Sequence, residues 1–221
     1  MIEAFKRTPV TITIIVIQVL VFIAMELNGG STNTVTLLNF GAEYTPLLVA
    51  GQWWRLITSA FVHIGIMHLL LNSIVLYYMG NYIEQLFGHW KLILIYIISV
   101  ISGNLLSAAL SPTSIAAGSS TGIFGLFGAF IFLGAEHRQQ SFLRILTRQY
   151  IILMIINLVF DLMSPSIDIW GHLGGLLAGF LAGALFDPEQ FGKIRLVKRL
   201  LSAAILILIL ASLTRMVLLN G

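Results

Sequence analysis

Seven apolar stretches, almost free of charge, leave this chain few ways to fold. They cover residues 9–25, 65–82, 90–110, 120–134, 150–163, 169–186 and 200–219. In hydrocarbon the backbone must satisfy its own N–H and C=O groups, and a helix does so within a single segment. About 20 residues are needed to cross the ~30 Å apolar layer. The fourth and fifth stretches fall short of that, so they must start below the surface or borrow from their flanks. The chain is 58% hydrophobic and 10% charged, with a mean hydropathy of +0.97. A soluble domain has no use for so much apolar surface. An all-α polytopic membrane protein with seven spans is expected.

Charge placement sets the orientation. Lys6 and Arg7 precede the first stretch, much as in a signal peptide. No small-x-small cleavage site follows, since the run ends Met25-Glu26-Leu27-Asn28, and a retained first helix is expected. Lys91 lies at the very start of stretch three, next to its connection with stretch two, and Arg138, Arg144 and Arg148 lie between four and five. Lys193, Arg195, Lys198 and Arg199 lie between six and seven. Ten of the twelve basic residues thus share one side, leaving Arg55 and Arg215. Because cytoplasmic loops carry the excess of Lys and Arg, the N-terminus is expected in the cytoplasm and the C-terminus outside. Basic loops beside anionic lipid account for the net charge of +3 without nucleic acid. The absence of cysteine removes disulfides and thiolate-held metals.

This topology brings four polar residues to one depth. Stretches two, four and six all run from outside to cytoplasm. His68 and Asn72 lie in the outer half of the second, Ser120 opens the fourth, and His172 lies near the start of the sixth. An ionisable residue inside a span is a functional-site candidate by default, because its placement there is costly. Gly171, Gly175, Gly179 and Gly183 repeat every four residues on the sixth stretch, while Gly118, Gly122, Gly125 and Ala129 line one side of the fourth. Small residues let helices approach closely in lipid. Packing of these faces would bring Ser120 and His172 within reach of each other.

Each polar residue also has a plainer reading. A membrane serine usually bonds a carbonyl one turn back, but Ser120 has no preceding turn. At a helix start the free N–H groups and the positive dipole end favour an alkoxide or an oxyanion. His68 and Asn72, four apart, share a helix face. They either bond each other across a turn or aim donors at a developing oxyanion. Phe124, four residues after Ser120, packs in the core or stacks on the His172 ring. Asp168, four before His172, either orients it as a third triad member would or caps the sixth helix. His63 and His68 lack the H-E-x-x-H spacing of a metal site, and no Cys or acidic residue joins them. No metal or other cofactor is expected. A transporter or channel would need polar positions at several depths. Here the inner half is nearly clear of them, apart from Glu84 near the boundary.

At these residues the chain resembles the rhomboid family of intramembrane serine proteases. Trp54-Arg55 is similar to the family's Trp-Arg motif in the first loop. His63, His68 and Asn72 in H-x-x-x-x-H-L-L-L-N, followed by Gly80-x-x-x-Glu84, resemble the pattern of its second span. Gly118-Ser119-Ser120 with Gly125 resembles the G-x-S motif, and His172-Leu173-Gly174-Gly175 the span-six histidine motif. The position after the serine is Thr121, where the common pattern has Gly. The resemblance covers spans one to six and implies a six-helix core, residues 1–186. A basic cytoplasmic linker and a seventh helix, residues 187–221, complete the bacterial 6+1 form. It implies Ser120 as nucleophile and His172 as general base, with no obligatory Asp. His68, Asn72 and the Ser120 backbone N–H would form the oxyanion hole, while Gly118, Phe124, Trp54, Arg55 and Glu84 would support the site and the fold. The implied partners are membrane lipid and transmembrane protein substrates; the compact single-domain chain leads to the expectation of a bacterial cell membrane as location. The sequence carries no signature of an oligomeric state. The alternative is a rhomboid-like protein that binds client helices without cutting them. Inactive relatives usually lack the Ser or His, and both are present here.

Overall fold

The structure, a computed structural model, describes residues 8–163, 168–192 and 194–220. Lys6, Arg7 and Lys193, three of the residues used for orientation, lie outside the described residues. Each of the seven apolar stretches falls within a helix: α1 (Pro9–Leu27), α5 (Gly65–Phe87), α6 (His89–Leu110), α7 (Ser120–Glu136), α8 (Ser141–Met163), α9 (Ile169–Phe186) and α10 (Leu196–Asn220). Among the described residues, five helices are long and apolar enough to cross a membrane. A sixth joins them if residues 55–61 and 65–87, bent by 95°, form one span. The fold is that of an all-α polytopic membrane protein.

The fifth stretch is not short. Its helix starts at Ser141, so α8 has 23 residues. Arg144, Arg148 and Gln149 had hidden this helical continuation, because an apolar run is broken by charge while a helix is not. The fourth stretch is short. With 17 residues, α7 spans about 26 Å at 1.5 Å per residue, less than the apolar layer.

α7 lies at the centre, and every residue from Thr121 to Phe130 is buried. A helix that is apolar all round belongs inside the protein. Its Ile123, Phe124, Leu126, Phe127 and Phe130 pack with Leu76, Met79 and Ile83 of α5 and with Leu92, Ile95 and Tyr96 of α6. α9 packs against both α7 and α6, and α10 against α9 and α6.

The glycine face of α9 meets α7 at backbone distance. A Cβ on Gly175 would collide with the Thr121 carbonyl, one on Gly179 with the Gly125 carbonyl, and one on Gly183 would sit 2.8 Å from Ala129 Cα. From the other side, a Cβ on Gly128 would collide with the Leu176 carbonyl. One part of the expected pairing needs correction. Gly122 faces the Tyr96 ring of α6, and Thr121 takes its place against α9. Gly103 on α6 supplies the room for the Thr121 methyl, since a Cβ there would collide with Thr121 Cγ2. No residue other than glycine has a positive φ among the described residues. Thr121 therefore fits the helix without backbone strain.

The connection between α1 and α5 is built of short pieces: α2 (Thr34–Asn39), β1 (Glu43–Tyr44), α3 (Thr45–Val49), α4 (Arg55–Thr58) and a 3₁₀ turn, Ser59–Phe61. Asn33 caps α2, its side chain accepting from Val35 N at 2.9 Å. β1 pairs antiparallel with β2 (Ile115–Ala116), Glu43 opposite Ala116 and Tyr44 opposite Ile115. This pairing ties the first loop to the segment that leads into Ser120. At the opposite end Glu84 closes the start of α1. It accepts from Val10 N (2.9 Å), Thr11 N (2.8 Å) and Thr11 Oγ1 (2.6 Å) and pairs with His89 Nδ1 at 2.6 Å. These are N–H groups that a helix cannot satisfy itself. Gly80 makes the approach possible, because a Cβ there would lie 2.7 Å from Thr11 Cγ2.

Candidate active site

Ser120 is the first residue of α7, and the backbone just before it takes a shape that favours glycine. Gly118 has φ +121°, a conformation side-chain-bearing residues rarely adopt. A Cβ at Gly118 would also lie 2.6 Å from His68 Cε1 and 2.7 Å from its Nε2. The Gly118 N–H donates to Ser59 O at 3.0 Å. Ser59 is held in turn by Asn104 of α6, whose Nδ2 donates to Ser59 Oγ (2.7 Å) and Leu56 O (2.8 Å).

The close packing of α7 and α9 carries His172 to Ser120. His172 Nε2 lies 2.7 Å from Ser120 Oγ. The imidazole stacks on Phe124, with ring centroids 4.3 Å apart and planes 12° from parallel. His172 is buried, and its Nδ1 lies 2.6 Å from Asp161 Oδ2. Ser119, the adjacent hydroxyl, points elsewhere: its Oγ is 3.4 Å from His63 Nε2. In chemical terms the arrangement offers two hydroxyl–imidazole contacts, of which Ser120–His172, at 2.7 Å against 3.4 Å for Ser119–His63, has the short distance that activation of a nucleophile needs.

His68 and Asn72 lie one turn apart on α5, with His68 against Gly118. Ile64 N–H donates to His68 Nδ1 at 3.3 Å. A neutral ring that accepts at Nδ1 carries its proton on Nε2, the nitrogen beside Gly118. The Asn72 amide takes the local option, donating to His68 O at 3.1 Å. Among the described residues no group of three or more His, Cys, Asp or Glu is placed to hold a metal ion.

The possible role of Asp168 as the group that orients His172 is corrected by the geometry. Asp168 precedes α9 and its carbonyl accepts the His172 backbone N–H at 3.5 Å, but its carboxylate makes no capping bond and does not bond the ring. Asp161, near the end of α8, occupies Nδ1 instead. Spacing along one helix pointed to Asp168, whereas this contact joins two helices. The usable signal was an acidic residue in an apolar stretch, Leu158-Val159-Phe160-Asp161-Leu162.

The first loop is organised by Arg55. Its Nη1 donates to Leu38 O (2.7 Å) and Ala42 O (2.8 Å), and its Nε to Gln52 Oε1 (2.8 Å). Trp53 packs against Leu48, Leu56 and Leu105, but Trp54 is exposed. A second buried pair escaped the sequence reading: His137 Nε2 lies 2.8 Å from Asp187 Oδ1, joining the ends of α7 and α9.

Glu43, in β1, is fully buried, and Thr45 Oγ1 donates to it at 3.4 Å. Burial, then the carboxylate of Asp168, push its pKa up from 4.5 to about 8. Between those values the folded protein keeps a proton that the unfolded chain releases. Stability therefore falls as pH rises through this window and levels off above it. Glu43→Gln is expected to match wild type in thermal unfolding near pH 4.5 and to exceed it at pH 8. A difference that stays constant with pH would count against this account.

A family model described as Rhomboid domain matches residues 50–189, more than half of the chain. This chain belongs to the rhomboid family. Over 197 residues it is 42% identical to Rhomboid protease GluP of Bacillus subtilis (strain 168), covering 89% of this chain and 38% of GluP. Over 161 residues it is 42% identical to Rhomboid-like protease 1 of Toxoplasma gondii, covering 71% of this chain and 55% of the relative. Rhomboid-like protease 3 of Toxoplasma gondii is 30% identical over 192 residues, 84% of this chain and 72% of that protein. The rhomboid chain thus spans about two fifths to three quarters of the length of these relatives.

Proposed function

We propose that this rhomboid is an intramembrane serine protease that cuts membrane-spanning protein substrates with a Ser120–His172 dyad. The observation that carries the reading is the 2.7 Å contact between Ser120 Oγ and His172 Nε2, with the ring stacked on Phe124. As Ser120 Oγ attacks the scissile carbonyl, its proton passes to His172 Nε2. The tetrahedral oxyanion is stabilised by His68 Nε2–H, the Asn72 amide after it leaves the His68 carbonyl, and the Ser120 backbone N–H. Collapse breaks the peptide C–N bond, and His172 returns the proton to the leaving amine. Water then attacks the acyl-enzyme by the same route, releasing the second product and restoring Ser120.

The reading includes seven spans with a cytoplasmic N-terminus, residues 1–186 as the catalytic core, and a bacterial cell membrane as the location. The shortness of α7 supports a serine set below the membrane surface, where a water-filled cavity open to the outer side would admit the second substrate. Purified protein in liposomes, incubated with a single-span reporter, is expected to release two fragments cut in or near the span. A protein that binds the reporter without cutting it, across several reporters, is instead a client-binding member of the family.

A further inference from the structure

We propose that Asp161 is the positioning residue of His172: its carboxylate accepts the Nδ1–H bond and so fixes the tautomer in which Nε2 can take the Ser120 proton. The inference rests on the protease reading and adds a residue to it. The outer part of α8 is otherwise apolar apart from Asn157, whose Nδ2 donates to Leu153 O at 2.8 Å, and Ile152, Ile155, Ile156, Val159, Phe160 and Leu162 are all exposed. Asp161 is buried among them, and its Oδ2 lies 2.6 Å from His172 Nδ1. A carboxylate within a span is costly unless it is paired. Placing it against the one ring that also touches Ser120 gives that cost a chemical return.

Stacking on Phe124 does not do the same work. It holds the ring plane but leaves open which edge faces Ser120 and which nitrogen carries the proton. With the proton on Nε2, His172 would present a donor to Ser120 Oγ and would not be a base. A carboxylate at Nδ1 is an acceptor only, so it selects Nδ1–H and leaves the Nε2 lone pair for the serine. When Nε2 takes the serine proton, the ring becomes a cation beside a carboxylate that keeps its charge. When Nε2–H passes that proton to the leaving amine, the ring returns to neutral. Asp161 gains and loses no proton in the cycle.

A purely structural role is the rival. Leu143, Leu146 and Thr147 anchor the other end of α8, so Asp161 could simply hold this end against α9. The two roles differ in what they change. A clamp would act on substrate entry and stability, whereas a positioning residue acts on the reactivity of Ser120 in an enzyme already bound to substrate.

The test uses full-length protein in detergent, with Asp161→Ala, the isosteric Asp161→Asn and Asp161→Glu compared for kcat, KM and rate of Ser120 labelling by a fluorophosphonate. Histidine-selective ¹⁵N spectra of wild type, assigned with His172→Ala, report the tautomer without relying on any Asp161 variant. Expected are a kcat lower by about 10²-fold or more in the Ala and Asn variants, a KM within about threefold, labelling slowed in step with kcat, and partial recovery in Asp161→Glu. Wild type is expected to hold its His172 proton on Nδ1. A wild-type kcat in folded Asp161→Ala or Asp161→Asn, a loss confined to KM with labelling unchanged, or a His172 proton on Nε2 would each overturn the proposal. Ser120→Ala, run alongside, separates the two levels. Cleavage that survives it removes the protease reading and this inference with it. Cleavage lost there but intact in Asp161→Ala removes only the role of Asp161.

Discussion

Ser120→Ala and His172→Ala are each expected to lower kcat/KM for a single-span substrate by at least about 10³-fold, and the double variant to be no worse than either single one. The size of the loss follows from the geometry. Ser120 Oγ is the hydroxyl within reach of His172, and Ser119 cannot replace it because its Oγ faces His63. Without the base, the hydroxyl must attack while still protonated. Without the hydroxyl, the base has nothing of the protein's own to activate. Two groups that act as one unit fail together, which is why their losses do not add. Steady-state kinetics in detergent on the three variants checks this, with thermal unfolding to show that each is folded. A double variant markedly weaker than both singles would mean that the two residues act independently.

The second large effect is structural. Gly179→Ala is expected to destabilise the protein by about 1–3 kcal/mol or more, a fall in Tm of roughly 2–12 °C for a chain of this size. The added Cβ would collide with the carbonyl, carbonyl carbon and Cα of Gly125. All three are backbone atoms of the buried α7, so no side chain can swing aside. Helix association in lipid draws on close van der Waals contact rather than on burial from water, and separating α9 from α7 weakens that contact along its length. The same separation would pull His172 from Ser120, so activity should fall at temperatures where the variant remains folded. Ile207→Ala, on an exposed part of α10, is the control and should shift Tm little. Equal Tm values for the two variants would show that the α7–α9 contact is not under this constraint.

Much of this molecule was legible because membrane helices write themselves into sequence as apolar runs. The four-residue glycine repeat of α9 also identified its packing face correctly. On α7 the reading was partly wrong, because that helix has small residues on several sides and packs against several neighbours. Glycine spacing alone could not tell that Gly122 meets Tyr96 while Thr121 meets Gly175. Helix periodicity left Phe124 open between core packing and stacking on His172, and depth grouped His68 with Ser120 without placing it beside Gly118. The role of Asp161 was not legible, since its contact crosses from α8 to α9 and no local spacing encodes it. The first loop was opaque for another reason. Its helices have four to six residues, too few to show a period, and β1 finds its partner more than seventy residues away.

The most direct test of the account is to treat the purified protein with a fluorophosphonate and map the modified residue by mass spectrometry. The account expects a single phosphonylated site at Ser120, absent in Ser120→Ala and formed far more slowly in His172→Ala. Modification at Ser119 instead, or labelling of Ser120 at an undiminished rate in His172→Ala, would contradict it.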